Sequence, residues 1–170
     1  MKALELNLGL FLCLKKMEWG VLIGVLYYSM IYYHWLVTNY LGPRMTSKYG
    51  IVAVQAANAA GKGMHPLDAW NYSAATIFDS PSSISKNCPK STFLGLAELG
   101  VISGIKPGEY TKSIENKKYA ELALKLLREN SSWSDNPSKL WEKIMDGTAK
   151  KHNSQMDVVT ALWQAKLFIK

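Results

Sequence analysis

The feature that most constrains this chain is a run of twenty-five residues, Trp19 to Pro43, that contains no Asp, Glu, Lys or Arg. The core of the run, residues 19–37, has about the 20 residues that a helix needs to cross the apolar layer of a membrane. Lys15 and Lys16 precede it, as basic residues often do at a membrane boundary. The run therefore predicts a hydrophobic N-terminal helix that anchors the chain in a membrane.

Two other interpretations of this segment are open. Its second half is rich in Tyr and contains His34, so it also suits a soluble structured element. Alternatively, the segment results from an upstream start codon, because the sequence at Met45 reads like a natural beginning. We therefore divide the chain into a hydrophobic segment, 1–44, and a domain, 45–170. The protein is membrane-anchored if the first segment is made and cytoplasmic if translation starts at Met45.

Helix signals follow one another through residues 45–170. Capping residues, prolines suited to a first helical turn and apolar residues at three- and four-residue spacing recur, while no stretch alternates with the period of a strand for long. The predicted helices cover 49–60, 66–78, 90–99, 116–129 and 138–145, and a last helix is capped by Asn153 or Ser154. The sequence thus predicts an all-α compact domain of about six helices.

Composition excludes several classes of protein. Hydrophobic residues make up 48% and charged residues 19% of the chain, which excludes a disordered protein. Cys13 and Cys88 are too few for a disulfide framework or a Cys-rich zinc site. No nucleotide-binding, metalloprotease or catalytic-triad signature is present, so we expect no cofactor and no metal. The formal net charge of +7 favours a partner that carries negative charge.

Three stretches of the domain resemble a known family. They are MTSKYGIVAV from Met45, CPKSTFLGLAELGVISGI from Cys88 and KKHNSQMDVVTALW from Lys150. Over residues 45–167 the chain resembles an uncharacterised bacterial domain-of-unknown-function family of small soluble proteins. The resemblance implies a domain that starts near Met45, and it implies no activity, cofactor or partner.

The first candidate site is a segment of hydroxyls and lysines before a predicted helix. It contains Ser85, Lys86, Lys90 and Ser91, and Pro89 is expected to open the helix. The free N–H groups and the positive dipole end of a helix start attract anions such as phosphate. The alternative is a Ser-rich loop that only caps the helix. The segment therefore predicts an anion site or a cap.

The second candidate site is a polar cluster near the last helix. It contains His152, Asn153, Gln155 and Asp157, whose side chains suit hydrogen bonds to a polar ligand. They equally suit a capping cluster, with Asp157 complementing the helix dipole. Cys88 is a further candidate as a nucleophile, although the sequence places no His beside it.

Tryptophans could also serve as stacking surfaces for nucleic-acid bases. Trp70, Trp141 and Trp163 fall on apolar helix faces, which predicts packing in the core. Trp133 lies among serines in a polar stretch, so it is the one expected in a loop.

Three function hypotheses follow. The first is a non-enzymatic helical binding module whose mildly basic surface contacts nucleic acid or another polyanion. The second is a small protein-interaction or adaptor domain held at the membrane by residues 19–37. The third is an enzyme that uses Cys88 or the cluster around His152. The sequence leaves the partner and the oligomeric state open.

Overall fold

The computed structural model of the chain describes residues 47–169. In this range the protein is all-helical, with six helices of nine or more residues and no strand beyond an isolated bridge between Ile102 and Phe168. The elements are α1 (Lys48–Ala60), α2 (Pro66–Ile77), α3 (Pro81–Ile84), α4 (Asn87–Glu98), α5 (Ile114–Glu129), a 3-10 helix (Ser131–Asp135), α6 (Pro137–Met145) and α7 (Gln155–Gln164). The all-α prediction is confirmed. The predicted hydrophobic helix at 19–37 lies outside the described residues.

Prolines and short polar side chains set several helix starts, as the sequence predicts. Pro66 and Pro137 each occupy the first turn of their helix, where the missing N–H costs no hydrogen bond. The Asn136 Oδ1 atom accepts a hydrogen bond from the Lys139 N–H at 3.0 Å and so caps α6. The short helix α3 begins at Pro81, and the hydroxyl of its cap, Ser80, accepts a hydrogen bond from the Ser83 N–H.

Helix α7 lies at the centre of the fold. It packs against α1, α4, α5 and α6. Seven of its ten residues are buried, including Met156, Val159 and Leu162. A helix with small or apolar residues on nearly every side is stable only when other elements surround it. The last helix is therefore stable only together with the helices that surround it.

Glycines allow two close contacts between helices. A Cβ atom at Gly50 of α1 would lie 2.9 Å from the Ala161 Cβ of α7. A Cβ atom at Gly95 of α4 would lie 2.8 Å from the Lys117 Cα of α5. Real Cβ atoms do not approach other carbons so closely, so these two crossings need glycine.

The tryptophans divide almost as predicted. Trp70 is fully buried and Trp141 is 3% exposed, whereas Trp163 is half-buried. Trp133 is not in an open loop, because it lies in the 3-10 helix and is partly buried against the core. Leu122 of α5 is exposed.

Candidate functional site

The lysines of the first candidate segment lie at the start of α4. The Lys86 Nζ atom stands 4.9 Å from the centroid of the Tyr49 ring, and this cation–π contact ties the segment to the first turn of α1. The Tyr49 hydroxyl donates to the Ser83 carbonyl at 3.0 Å, and burial raises the pKa of that phenol. The Ser85 hydroxyl is exposed and donates to the Ser82 carbonyl at 3.4 Å.

Helix α4 begins at Asn87 rather than Lys90. Pro89 therefore lies inside the first turn, where proline is tolerated, instead of opening the helix. The first-turn N–H groups that lack a helical partner are those of Asn87 and Cys88. The Lys86 N–H donates to the Ser83 carbonyl at 3.4 Å, and the Lys90 N–H falls in the bonded part of the helix. The predicted start of this helix at Lys90 is therefore wrong, because the helix begins at Asn87.

Ser91 does not face solvent with the rest of the segment. It is 3% exposed, and its hydroxyl donates to the Asn87 Oδ1 atom at 3.1 Å. Lys90 is partly exposed on the same helix. Of the four predicted residues, Ser85, Lys86 and Lys90 therefore reach solvent.

The second candidate segment caps α7 with the side chain of His152, which is not one of the two predicted caps. The Nε2 atom of His152 accepts a hydrogen bond from the Met156 N–H at 3.1 Å. Ser154 has a left-handed backbone, φ 68°, and makes no capping bond with its side chain. The expected cap at Asn153 or Ser154 is therefore replaced by the imidazole of His152.

Buried Gln155 connects this segment to α5. Its Oε1 atom accepts from the Asn153 N–H at 2.7 Å, and its Nε2 atom donates to the Asn116 Oδ1 atom at 3.4 Å. The Asn116 amide in turn donates to the Ser113 hydroxyl at 2.8 Å. A buried carboxamide with both ends satisfied holds the loop before α7 in one conformation.

The structure brings the two candidate segments together. The Asn153 Nδ2 atom donates to the Cys88 Sγ atom at 3.3 Å, across a sequence separation of 65 residues. The charge of Lys86 also acts on the His152 imidazole. The two segments thus form one surface, which we name the α7-entry face and define by Lys86, Asn87, Cys88, Lys151 and Asn153.

First turns of three other helices contact the start of α7 or the loop that enters it. Gly50 in the first turn of α1 lies against the Asp157 carbonyl, Cys88 of α4 bonds to Asn153, and Asn116 of α5 bonds to Gln155. Each helix start carries a partial positive charge of about half an elementary charge. Their proximity concentrates positive potential on this side of the domain.

Lys150 is held by neighbouring residues. Its Nζ atom bonds to the Glu115 Oε2 atom at 2.7 Å and to the Tyr119 hydroxyl at 3.0 Å. These two hydrogen bonds raise the pKa of Lys150, and the same lysine lowers the pKa of Glu115. The carbonyl of Lys150 accepts from the Trp141 indole N–H at 2.7 Å. Lys150 therefore anchors the loop, and the next residue, Lys151, is exposed on the α7-entry face.

The surroundings of His152 lower its pKa and so favour the neutral ring. Burial lowers its pKa, the charge of Asp157 raises it, and the charge of Lys86 lowers it further. The ring also lies beside the Trp141 ring, with centroids 5.7 Å apart. A neutral ring is needed for the hydrogen bond, because Nε2 must carry a lone pair to accept the Met156 N–H.

The same hydrogen bond bears on the enzyme hypothesis. A cysteine nucleophile needs a base with a free lone pair within hydrogen-bond reach. The Nε2 lone pair of His152 faces the Met156 N–H, and the polar group at the Cys88 thiol is the amide of Asn153. This arrangement supports a structural role for both residues.

Within residues 47–169, no three His, Cys, Asp or Glu side chains cluster in a way that would hold a metal ion. Every helix in that range is too short or too polar to span a membrane.

Sequence reasoning missed the residues that join the second candidate segment to α5. Folding brings together Asn116 with the buried side chain of Gln155, and Glu115 with Lys150. No local spacing in the sequence identifies these contacts. Their contacts link positions 35 to 39 residues apart. The one sequence signal for these contacts is the clustering of Asn, Gln and Ser near predicted helix starts.

Comparison with known proteins gives the family of the chain. A model described as a family of unknown function, DUF6979, matches residues 46–169. No curated protein and no solved structure matches the chain. The resemblance to an uncharacterised domain of unknown function is thereby confirmed. The chain belongs to DUF6979.

Proposed function

We propose that this domain is a non-enzymatic binding module that takes a phosphate-bearing polyanion, such as a nucleic-acid backbone, at the α7-entry face. The observation that carries the proposal is the Asn153–Cys88 contact, which joins the two polar segments where helix first turns meet. Free N–H groups at helix starts, together with lysines, suit phosphate oxygens.

The charges around the face favour an anion. Lys86 and Lys151 reach solvent on the face, and Lys90 reaches solvent one helical turn after Lys86. Of the two nearby carboxylates, Glu115 is paired with Lys150, and Asp157 lies in the first turn of α7. Exposed lysines contribute little each and are screened by salt, so the expected binding is weak and dependent on salt.

Binding of a fluorescein-labelled single-stranded oligonucleotide, measured by anisotropy, tests the proposal. The titrations use the full chain at 50 and 200 mM salt. Counterion release makes phosphate-driven affinity fall steeply over this range. In the variant Lys86→Ala/Lys151→Ala we expect an affinity loss of about tenfold at low salt and a shallower dependence on salt.

A matched control replaces two lysines that follow the C-terminal ends of α1 and α4. Lys62 follows the end of α1, and Lys106 lies beyond the end of α4. At 1.5 Å per residue, these helix ends are about 18–20 Å from their own starts. The variant Lys62→Ala/Lys106→Ala has the same charge change and should bind as the parent does. Equal losses in both variants would show a diffuse charge effect and overturn the proposed face.

A further inference from the structure

A cleft lies between the 3-10 helix and the end of α7. Its volume is about 800 Å³, which is within the range of sites for small organic ligands. Trp163 and Phe168 form its apolar surface, and their ring centroids are 6.2 Å apart at an angle of 45°. Both rings are only half-buried, so part of their area is open to the cleft.

The wall that carries Phe168 is fixed by backbone pairing. The Ser103 N–H donates to the Leu167 carbonyl at 2.8 Å, and the Ile169 N–H donates to the Val101 carbonyl at 2.9 Å. On the opposite wall, the Gln164 Nε2 atom donates to the Ser134 carbonyl at 2.9 Å. The two walls are therefore held before any ligand arrives, which lowers the entropic cost of binding.

Two cations line this apolar cleft. Arg128 and Lys166 are exposed there. The Arg128 Nη2 atom makes one long hydrogen bond, 3.4 Å, to the Ile169 carbonyl, while a guanidinium has five N–H donors. One carboxylate, Asp135, also lines the cleft and has an interaction partner of its own. Among the described residues, the lining thus combines aromatic surface with a small excess of positive charge.

We infer that this cleft binds a small aromatic organic acid. The ring of the ligand packs on Trp163 and Phe168, and its carboxylate meets Arg128 and Lys166. A planar guanidinium matches a carboxylate with two parallel hydrogen bonds, and exposed ring faces suit an aromatic body. The hydroxyls of Ser131 and Ser132 provide further polar contacts at the edge. This site is independent of the polyanion proposal, because it shares no residue with the α7-entry face.

Titration with 2-naphthoate tests the inference, with 2-naphthalenemethanol as its neutral counterpart. In ¹⁵N-labelled full chain, we expect the acid to shift the Trp163 indole N–H and the amides of residues 131–135. Loss of the charge-assisted bonds should weaken binding of the neutral compound about tenfold or more. Equal affinity for the acid and the alcohol, or shifts that fall elsewhere, would overturn the inference.

Two double variants separate this cleft from the α7-entry face. In Arg128→Gln/Lys166→Gln the preference for the acid over the alcohol should disappear, while the alcohol still binds weakly. In Lys86→Gln/Lys151→Gln, which has the same change in charge, the preference should persist. A preference that survives the first variant, or is lost equally in both, contradicts the assignment. Because the second variant also weakens the polyanion site, either proposal can fail without the other.

Discussion

At the scale of single residues, His152 connects the core to the α7-entry face. Its Nε2 atom accepts from the Met156 N–H, and its ring lies beside Trp141. The charged groups that act on it are Lys86 from the start of α4 and Asp157 from the first turn of α7. Protonation would turn the accepting nitrogen into a donor and place a cation at the positive end of α7.

This environment predicts that stability depends on pH. Burial lowers the pKa of His152 in the folded state below its ordinary value of 6.5. Between the two pKa values the unfolded chain binds more protons, so the contribution is complete above about pH 6.5 and is lost as the pH falls through the folded pKa. We expect a lower midpoint of urea unfolding at pH 5.5 than at pH 7.5. The difference should shrink in His152→Gln, and an unchanged difference in that variant would contradict this account.

Trp141 and Trp163 differ in burial and should differ in cost. Trp141 is 3% exposed, and its indole N–H bonds to the Lys150 carbonyl, whereas Trp163 is half-buried. Trp141→Ala should lower the free energy of unfolding by about 3–5 kcal/mol, the usual cost for a buried Trp. Trp163→Ala should cost less. Urea unfolding measures the free energy of unfolding of both variants. Equal losses would contradict the expectation that the less buried Trp163 contributes less.

At the scale of helices, the crossing of α4 and α5 has no room for a side chain at Gly95. A Cβ there would lie 2.8 Å from the Lys117 Cα and 2.9 Å from its Cβ, so backbone must move. Gly95→Ala should destabilise by about 1–3 kcal/mol, although alanine favours helix. The exposed substitution Glu121→Ala on α5 provides a control near zero. A melting temperature of Gly95→Ala at or above that of the parent would contradict the tight crossing.

The helices could be predicted from the sequence because their signals are local. Pro66, Pro137 and the cap Asn136 act within a few residues of where they occur. The start of α4 was misplaced because Pro89 is compatible with more than one position in a first turn. The cap of α7 was missed because an imidazole is an uncommon acceptor there, and only folding brings His152 onto the Met156 N–H.

The candidate surfaces were predictable only in part, because each joins distant positions. The two segments of the α7-entry face are predicted separately from the sequence, but the contact of Asn153 with Cys88 crosses 65 residues. The aromatic-acid cleft was not predicted, since Arg128 and Trp163 come from different elements. Their hydrophobic and charged neighbours give no spacing that would single them out.

At the scale of the whole molecule, the helices within residues 47–169 enclose one core. Buried side chains from all six longer helices contribute to it, including Val52, Trp70, Leu96, Leu127 and Leu140. We therefore expect the fragment 45–170 to fold alone, with a helical circular dichroism spectrum and a cooperative melt. A spectrum dominated by strand, or the lack of a cooperative transition, would contradict this expectation.

The hydrophobic segment 1–44 lies outside the described residues, and its role as a membrane anchor stays a prediction. If the chain is made from Met1, residues 19–37 should carry it into liposomes, because so long an uncharged run is costly to expose to water. Flotation of the full chain with liposomes, compared with the fragment 45–170, measures this. Full-length protein that stays at the bottom of the gradient as a monomer without detergent would contradict the anchor.

The central claim is that two polar segments, far apart in sequence, form one anion-binding face. The most direct measurement is an NMR titration of the ¹⁵N-labelled chain with a short single-stranded oligonucleotide. We predict that amide shifts appear together at residues 85–92 and 151–157 with one affinity, and that both sets weaken in Lys86→Ala/Lys151→Ala. Shifts at only one of the two segments, or at neither, would contradict the claim.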